Sequence, residues 1–170
     1  HRCLQVVLLH GIEQRRSQGF TDRCHLGNLA REAAIELSPL IAEKNLDFEM
    51  EHDNSEIRGD AWLVGELVRN LLNNAIRHTP FGKQLGIQIA TASNDVRLLV
   101  WDTGGGLSEE LQSNPFEPFA SQFSSHRSGL GLAISHEIAT SLNGRIVLRN
   151  RDHGNGVIGL DALVVFEAYL

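Results

Sequence analysis

From residue 64 to residue 76 the apolar positions fall on one broad face of a wheel turned at 3.6 residues per turn. That face holds Val64, Leu67, Val68, Leu71, Leu72, Ala75 and Ile76. Glu66, Asn70, Asn73, Asn74 and Arg77 fall on the other side. The pattern predicts an amphipathic helix, capped at its start by Asp60 and stopped at Pro80. Asn70, Asn74 and His78 are four apart, so their side chains stack along one edge of the apolar face. Asn is a poor helix former because its side chain competes for backbone hydrogen bonds. Three of them between positions 70 and 74 need a reason. The plain reason is a solvated face. The functional one is a row of carboxamides able to hold a hydrated metal and phosphates.

The same reasoning places the other elements. Residues 4–16 read as a helix, broken by Gln18-Gly19-Phe20-Thr21. A second amphipathic helix runs over about 28–44, with Leu29, Ala33, Ile35, Leu37, Leu40 and Ile41 as core candidates. Residues 46–52 alternate, setting Leu46, Phe48 and Met50 against Asp47, Glu49 and Glu51, as a half-buried strand does. Strands over 87–92 and 96–102 flank an Asn94-Asp95 hairpin turn. Residues 130–142 form a helix closed by Asn143-Gly144, and strands over 145–150 and 157–167 follow. Short turns between paired strands give a mixed, largely antiparallel sheet covered on one face by helices, a two-layer α/β (α+β) sandwich. Only 104–128 is long and irregular, with one helical turn near 107–112. Such loops are usually functional lids or binding loops.

Composition narrows the classes. With 170 residues, 42% hydrophobic and 21% charged, the chain is long enough for one domain with a proper core. A net charge of −6 argues against a nucleic-acid partner, whose footprint is a basic face. It leaves room for a nucleotide, because Mg²⁺ and a few local cations offset phosphate charge. Cys3 and Cys24 make no CxxC pair and read as free thiols. His25, His52, His126, His136 and His153 have no zinc-ligand spacing. No apolar run approaches the roughly 18 residues of a membrane span, and the start at His1-Arg2-Cys3 is not a signal peptide. Lacking an initial Met, the chain reads as a piece of something longer.

Two glycine-rich segments bracket the irregular stretch. Asp102-Thr103-Gly104-Gly105-Gly106 follows a buried strand. A carboxylate at a strand end can accept from an exocyclic amine such as that of adenine, and glycines let backbone approach a flat ring. Taken alone, an ordinary strand-ending turn explains it as well. Ser128-Gly129-Leu130-Gly131-Leu132 opens a helix whose free N–H groups and dipole favour an anion, although tight helix packing accounts for the same glycines. Together with the asparagine helix, these segments supply the separate parts of one nucleotide site.

Asn70-x-x-x-Asn74-Ala, Asp102-x-Gly104-x-Gly106, Phe116-Glu117-Pro118-Phe119 and Gly129-Leu130-Gly131-Leu132 resemble, in order and spacing, the N, G1, F and G2 boxes of bacterial sensor histidine kinases. The resemblance covers roughly residues 21–167. It implies an ATP-binding catalytic domain with the Bergerat fold and an ATP lid, shared with gyrase, the MutL repair protein and heat-shock chaperone ATPases. Asn74 would then be the main Mg²⁺ ligand, with Asn70 assisting the metal and its water. Arg77 would meet phosphate, and His78 would lie near the phosphates or ribose. Asp102 would bind adenine N6, with Gly104 and Gly106 lining the base pocket. Phe116 and Phe119 would dock the lid, and the peptide groups of Gly129, Leu130, Gly131 and Leu132 would hold the phosphates. Residues 1–20 would be the tail of a dimerisation helix and a linker, and 21–170 the catalytic domain. The resemblance also implies an upstream phosphoacceptor domain, a response regulator and a membrane-anchored homodimer as partners, with this domain on the cytoplasmic side of the bacterial inner membrane.

Two departures stand out. Arg127 takes the place of the first glycine of the last box, where it either reaches the γ-phosphate or sits in solvent, the latter being the simpler reading. None of the eight His has the setting of a phosphoacceptor, a His followed by an acidic residue on a two-helix dimerisation domain, and His10 reads as an ordinary helix residue. Two other functions remain in play. A hydrolytic clamp of the gyrase or MutL type needs a Glu where Asn70 stands, and Glu66 is two turns from Asn74 and reads as solvated. A decayed interaction module would not need Asn74, Asp102 and Gly131.

Overall fold

Burial alternates along the strands, as it must for a sheet with one face covered and one open. The computed structural model describes residues 22–113, 129–152, 154 and 156–167, together with His10, Gly11 and Glu13. Its main sheet contains β2 (Asp47–His52), β4 (Gln84–Ala92), β5 (Asp95–Asp102), β6 (Arg145–Asp152) and β7 (Val157–Glu167). These five lie in the order β2-β4-β5-β7-β6. β2 runs parallel to β4, and the other neighbours are antiparallel. Two short strands, β1 (Arg23–His25) and β3 (Glu56–Arg58), pair separately. The helices are α1 (Leu26–Glu43), α2 (Ala61–His78), α3 (Glu109–Ser113) and α4 (Gly129–Ser141).

One core joins the layers. Leu85, Ile87, Ile89, Val96, Leu98, Val100, Ala162, Val164 and Phe166 from the sheet are buried with Leu63, Leu67, Leu71, Ile134 and Ile138 from α2 and α4. At about 25 cal/mol per Å² of apolar surface, this burial is what makes the short helices stable in place. The two-layer arrangement is the one the alternation implies.

The differences from expectation have local causes. Ile35 and Leu40 are not core residues: they are 65% and 40% exposed. α1 instead buries Leu26, Ala30, Ala33, Ala34 and Ile41, a stripe whose small alanines let the helix lie close to its neighbours. It also starts earlier than predicted, because His25 caps it by accepting from the Asn28 N–H through Nδ1 at 3.1 Å. Histidine is not among the usual caps. The hairpin turn is Ser93-Asn94, not Asn94-Asp95: Asp95 already pairs with Ala92, and Ser93 takes a φ of 56°. β1 and β3 are three residues each, too short to show a period. β4 begins at Gln84, earlier than predicted, because Gln84, Leu85 and Gly86 pair with β2 while Leu85, Gly86 and Ile87 are buried in succession and show no alternation. The predicted helix over 4–16 lies largely outside the described residues, apart from His10, Gly11 and Glu13, which are helical.

Candidate functional site

α2 forms where the wheel places it. Asp60 accepts from the Leu63 N–H at 3.1 Å, and ten buried residues from Leu63 to Ile76 seat the helix on the sheet. That docking leaves Asn70 half-buried and Asn74 buried along one edge of the helix. Asn74 is only 8% exposed, and the Nδ2 of Asn70 is buried with no hydrogen-bond partner. A buried amide without a partner costs about 1–3 kcal/mol unless something else satisfies it. Which end of each carboxamide is oxygen is an assignment, so either group can present Oδ1 to a cation. In the last turn Arg77 is exposed and His78 half-buried.

Asp102 ends β5, between Leu85 of β4 and Leu160 of β7, and is 2% exposed. Its Oδ1 accepts the Gly104 N–H at 2.9 Å, which fixes the carboxylate's orientation. The glycines here are required by close approach. A Cβ on Gly104 would land on the backbone carbonyl of His78, and one on Gly159 would land on the carbonyl of Asp102. Gly106 takes a φ of 72°, a left-handed value that suits glycine. The loop is thus wedged directly onto the end of α2.

α4 begins at Gly129, so Gly129, Leu130, Gly131 and Leu132 make its first turn. The first N–H groups of a helix lack intrahelical partners and face an anion favourably. Leu132 is fully buried in a small cluster with Leu107 and Leu160. This cluster ties the start of α4 to the loop that leaves Asp102. The structure therefore gathers the asparagine helix, the Asp102 loop and the glycine-opened helix around one region. Phe116, Phe119 and Arg127 lie outside the described residues. Glu66 is not simply solvated, since it pairs with Arg69 at 2.5 Å.

Residues 59–163 match the family of histidine kinase-, DNA gyrase B- and HSP90-like ATPases. The chain belongs to this ATPase family. Its relatives are sensor histidine kinases. The sensor protein CreC of Escherichia coli is 32% identical over 123 residues, covering 71% of this chain and 26% of CreC. The catalytic domain of histidine kinase ThkA superposes with a TM-score of 0.76 at 28% identity, covering 88% of this chain and 95% of that one. ThkA in complex with the response regulator protein TrrA gives 0.72 at 26% identity, covering 87% of this chain and 42% of that one. The chain thus spans about a quarter of CreC's length, and it is the ATP-binding domain of the sensor-kinase type.

Within this ATPase domain, some residues that hold the site carried no signal in the sequence. Lys44 donates through Nζ to the carbonyls of Ile76 at 2.8 Å and Arg77 at 3.2 Å, closing the end of α2. Thr79 is buried and donates to the Ala75 carbonyl at 2.6 Å. Asn150 reaches the Leu107 backbone from β6. Each acts through a long-range contact or a backbone group, which no local pattern marks.

Proposed function

We propose that this chain binds Mg-ATP and delivers its γ-phosphate to a histidine on a separate dimerisation domain. The observation that carries this reading is the buried Asp102 carboxylate, oriented by the N–H of Gly104, the glycine that packs against the end of α2. A buried carboxylate held this way suits the N6 amine of adenine, with Gly104 and Gly106 lining the base. Asn74 and Asn70 would hold the cation. Their hard oxygens fit Mg²⁺, which takes few protein ligands and keeps several waters, and the unpartnered Asn70 amide fits a site completed by a ligand. When bound, Mg²⁺ neutralises phosphate charge. Arg77 adds a cation at the phosphates, and His78 lies beside them or the ribose. The peptide N–H groups of Gly129, Leu130, Gly131 and Leu132 receive phosphate oxygens. Phe119 and Arg127 belong to the lid in this reading.

The protein's work in phosphoryl transfer is mostly positioning and charge neutralisation, so no nucleophile is needed here. Asn70 stands one helical turn before Asn74, where a hydrolytic clamp needs a general base, and a carboxamide takes no proton. Glu66 is engaged with Arg69. Water is therefore poorly activated, and the phosphoryl group passes to an external histidine. By the same reading residues 1–20 connect to the dimerisation domain and 21–170 form the catalytic domain. The parent protein is a membrane-anchored homodimer working with a response regulator, its catalytic domain in the cytoplasm. No described helix is itself long and apolar enough to cross a membrane.

The test is transfer in trans. The chain, Mg²⁺ and γ-labelled ATP are mixed with the parent's phosphoacceptor domain. Acid-labile label is expected on the acceptor, and none with Asn74→Ala. Label retained on His10 of this chain alone, or brisk steady-state ATP hydrolysis, would contradict the reading.

A further inference from the structure

Asp102, Leu160 and Asn150 occupy one rung across three strands. Asp102 of β5 is the register partner of Leu160 in β7, and Leu160 is the partner of Asn150 in β6. Asn150 is therefore fixed two strands, about 10 Å, from the base-selecting carboxylate. The chain leaves β5 at Asp102, crosses over Leu160 and is caught at Leu107 by Asn150. The Asn150 Oδ1 accepts the Leu107 N–H at 2.7 Å, and its Nδ2 donates to the Leu107 carbonyl at 3.0 Å. Only a carboxamide offers an acceptor and a donor side by side in this way, imitating the edge of a strand. The Leu107 carbonyl also accepts from Gln112 Nε2 at 3.1 Å, which links the clamp to α3.

At the other end the loop is pinned by Thr103, whose N–H donates to the Gln84 carbonyl at 3.0 Å, and by the Gly104 N–H on Asp102. Between these two anchors lie Gly105 and Gly106. A Cβ on Gly106 would meet Asn150 Oδ1 at 2.7 Å, so the glycine rests against the clamp itself. Two glycines give this span little intrinsic stiffness. Its path depends on where Leu107 is held.

We propose that Asn150 is a positioning residue for nucleotide recognition: by gripping both backbone groups of Leu107 it sets the path of the loop 103–107, and through it the geometry with which Asp102 and Gly106 meet the base. This rests on the reading of Asp102 as the adenine selector. The clamp touches no nucleotide. It acts on selectivity for the purine amine more than on whether phosphates bind.

The experiment compares ATP and GTP affinities and melting temperatures for the chain carrying Asn150→Ala, Asn150→Asp, Asp102→Asn or Val96→Ala. Val96→Ala truncates the core at the far end of β5 and serves as a matched destabiliser. Asn150→Asp keeps the acceptor and loses the donor, so it preserves shape if Asn150→Ala unfolds. Both Asn150 variants are expected to bind ATP about tenfold more weakly, the scale of one or two lost hydrogen bonds, and to lose part of the preference for ATP over GTP. Val96→Ala is expected to melt earlier with the preference unchanged. An unchanged preference in both Asn150 variants, with the preference lost in Asp102→Asn, overturns the positioning role and leaves the nucleotide reading standing. An unchanged preference in Asp102→Asn overturns the selector, and the proposal with it.

Discussion

The ammonium of Lys44, just past the end of α1, lies 2.8 Å from the carbonyl oxygen of Ile76 near the end of α2. One side chain thereby closes a helix 32 residues away in sequence. The last carbonyls of a helix have no intrahelical partner, and a cation there also meets the negative end of the dipole. Lys44→Met is expected to cost about 1–2 kcal/mol in denaturant unfolding and to weaken nucleotide binding through the last turn, where Arg77 and His78 sit. Unchanged unfolding would show that the contact contributes nothing.

Gly104 and Gly105 differ in a way that mutagenesis can read. A Cβ at 104 strikes the His78 carbonyl, a backbone atom that cannot swing away, whereas a Cβ at 105 meets nothing within 4 Å. Gly104→Ala is expected to destabilise by about 1–3 kcal/mol and to abolish nucleotide binding. Gly105→Ala is expected to stay within about 0.5 kcal/mol of the parent. Melting curves and a nucleotide titration on the two variants check this. Equal behaviour would deny the close packing of loop on helix.

Asp53 gives a pH signature. Burial would raise its carboxyl, but hydrogen bonds from Ser55 Oγ, the Ser55 N–H and the Thr91 N–H win and hold it below the ordinary carboxylate value. A depressed carboxylate stabilises the fold above its unfolded value, about pH 4, and that stability is lost as pH falls through the folded value. Asp53→Asn is therefore expected to be less stable than the parent at pH 7, with the gap closing below about pH 4. A gap that widens on acidification would contradict this assignment.

Cys24 is 4% exposed, and burial, followed by the charges of Asp60 and Asp22, pushes its thiol up. Since the thiolate is the reactive form, alkylation in a Cys3→Ser background is expected to be slow and to accelerate with denaturant as the chain opens. Rapid alkylation of the folded chain would place the thiol at the surface.

The parts of the site that announced themselves in the sequence were those set by periodicity and by glycine. The α2 wheel marked the edge carrying Asn70 and Asn74, and Asp102 stood at the end of a predicted strand, just before a run of glycines. What stayed hidden depends on the third dimension. Ile35 reads as core until the alanines of α1 choose a different stripe. His25 shows no metal-ligand spacing and no usual capping chemistry in the sequence, yet its ring caps α1. Asn150 sits in a basic edge strand with nothing local to distinguish it, because its partner is 43 residues away. Tertiary pairing carries no period, so a pattern search passes over it.

The central claim is that one pocket holds an adenine nucleotide through Asp102 and the α2 carboxamides. Calorimetric titration of ATP into the chain with Mg²⁺, run on the parent and on Asp102→Asn, tests it most directly. The account expects saturable heat for the parent and a strongly weakened signal for the variant. No heat from the parent, or identical isotherms for the two, would contradict it.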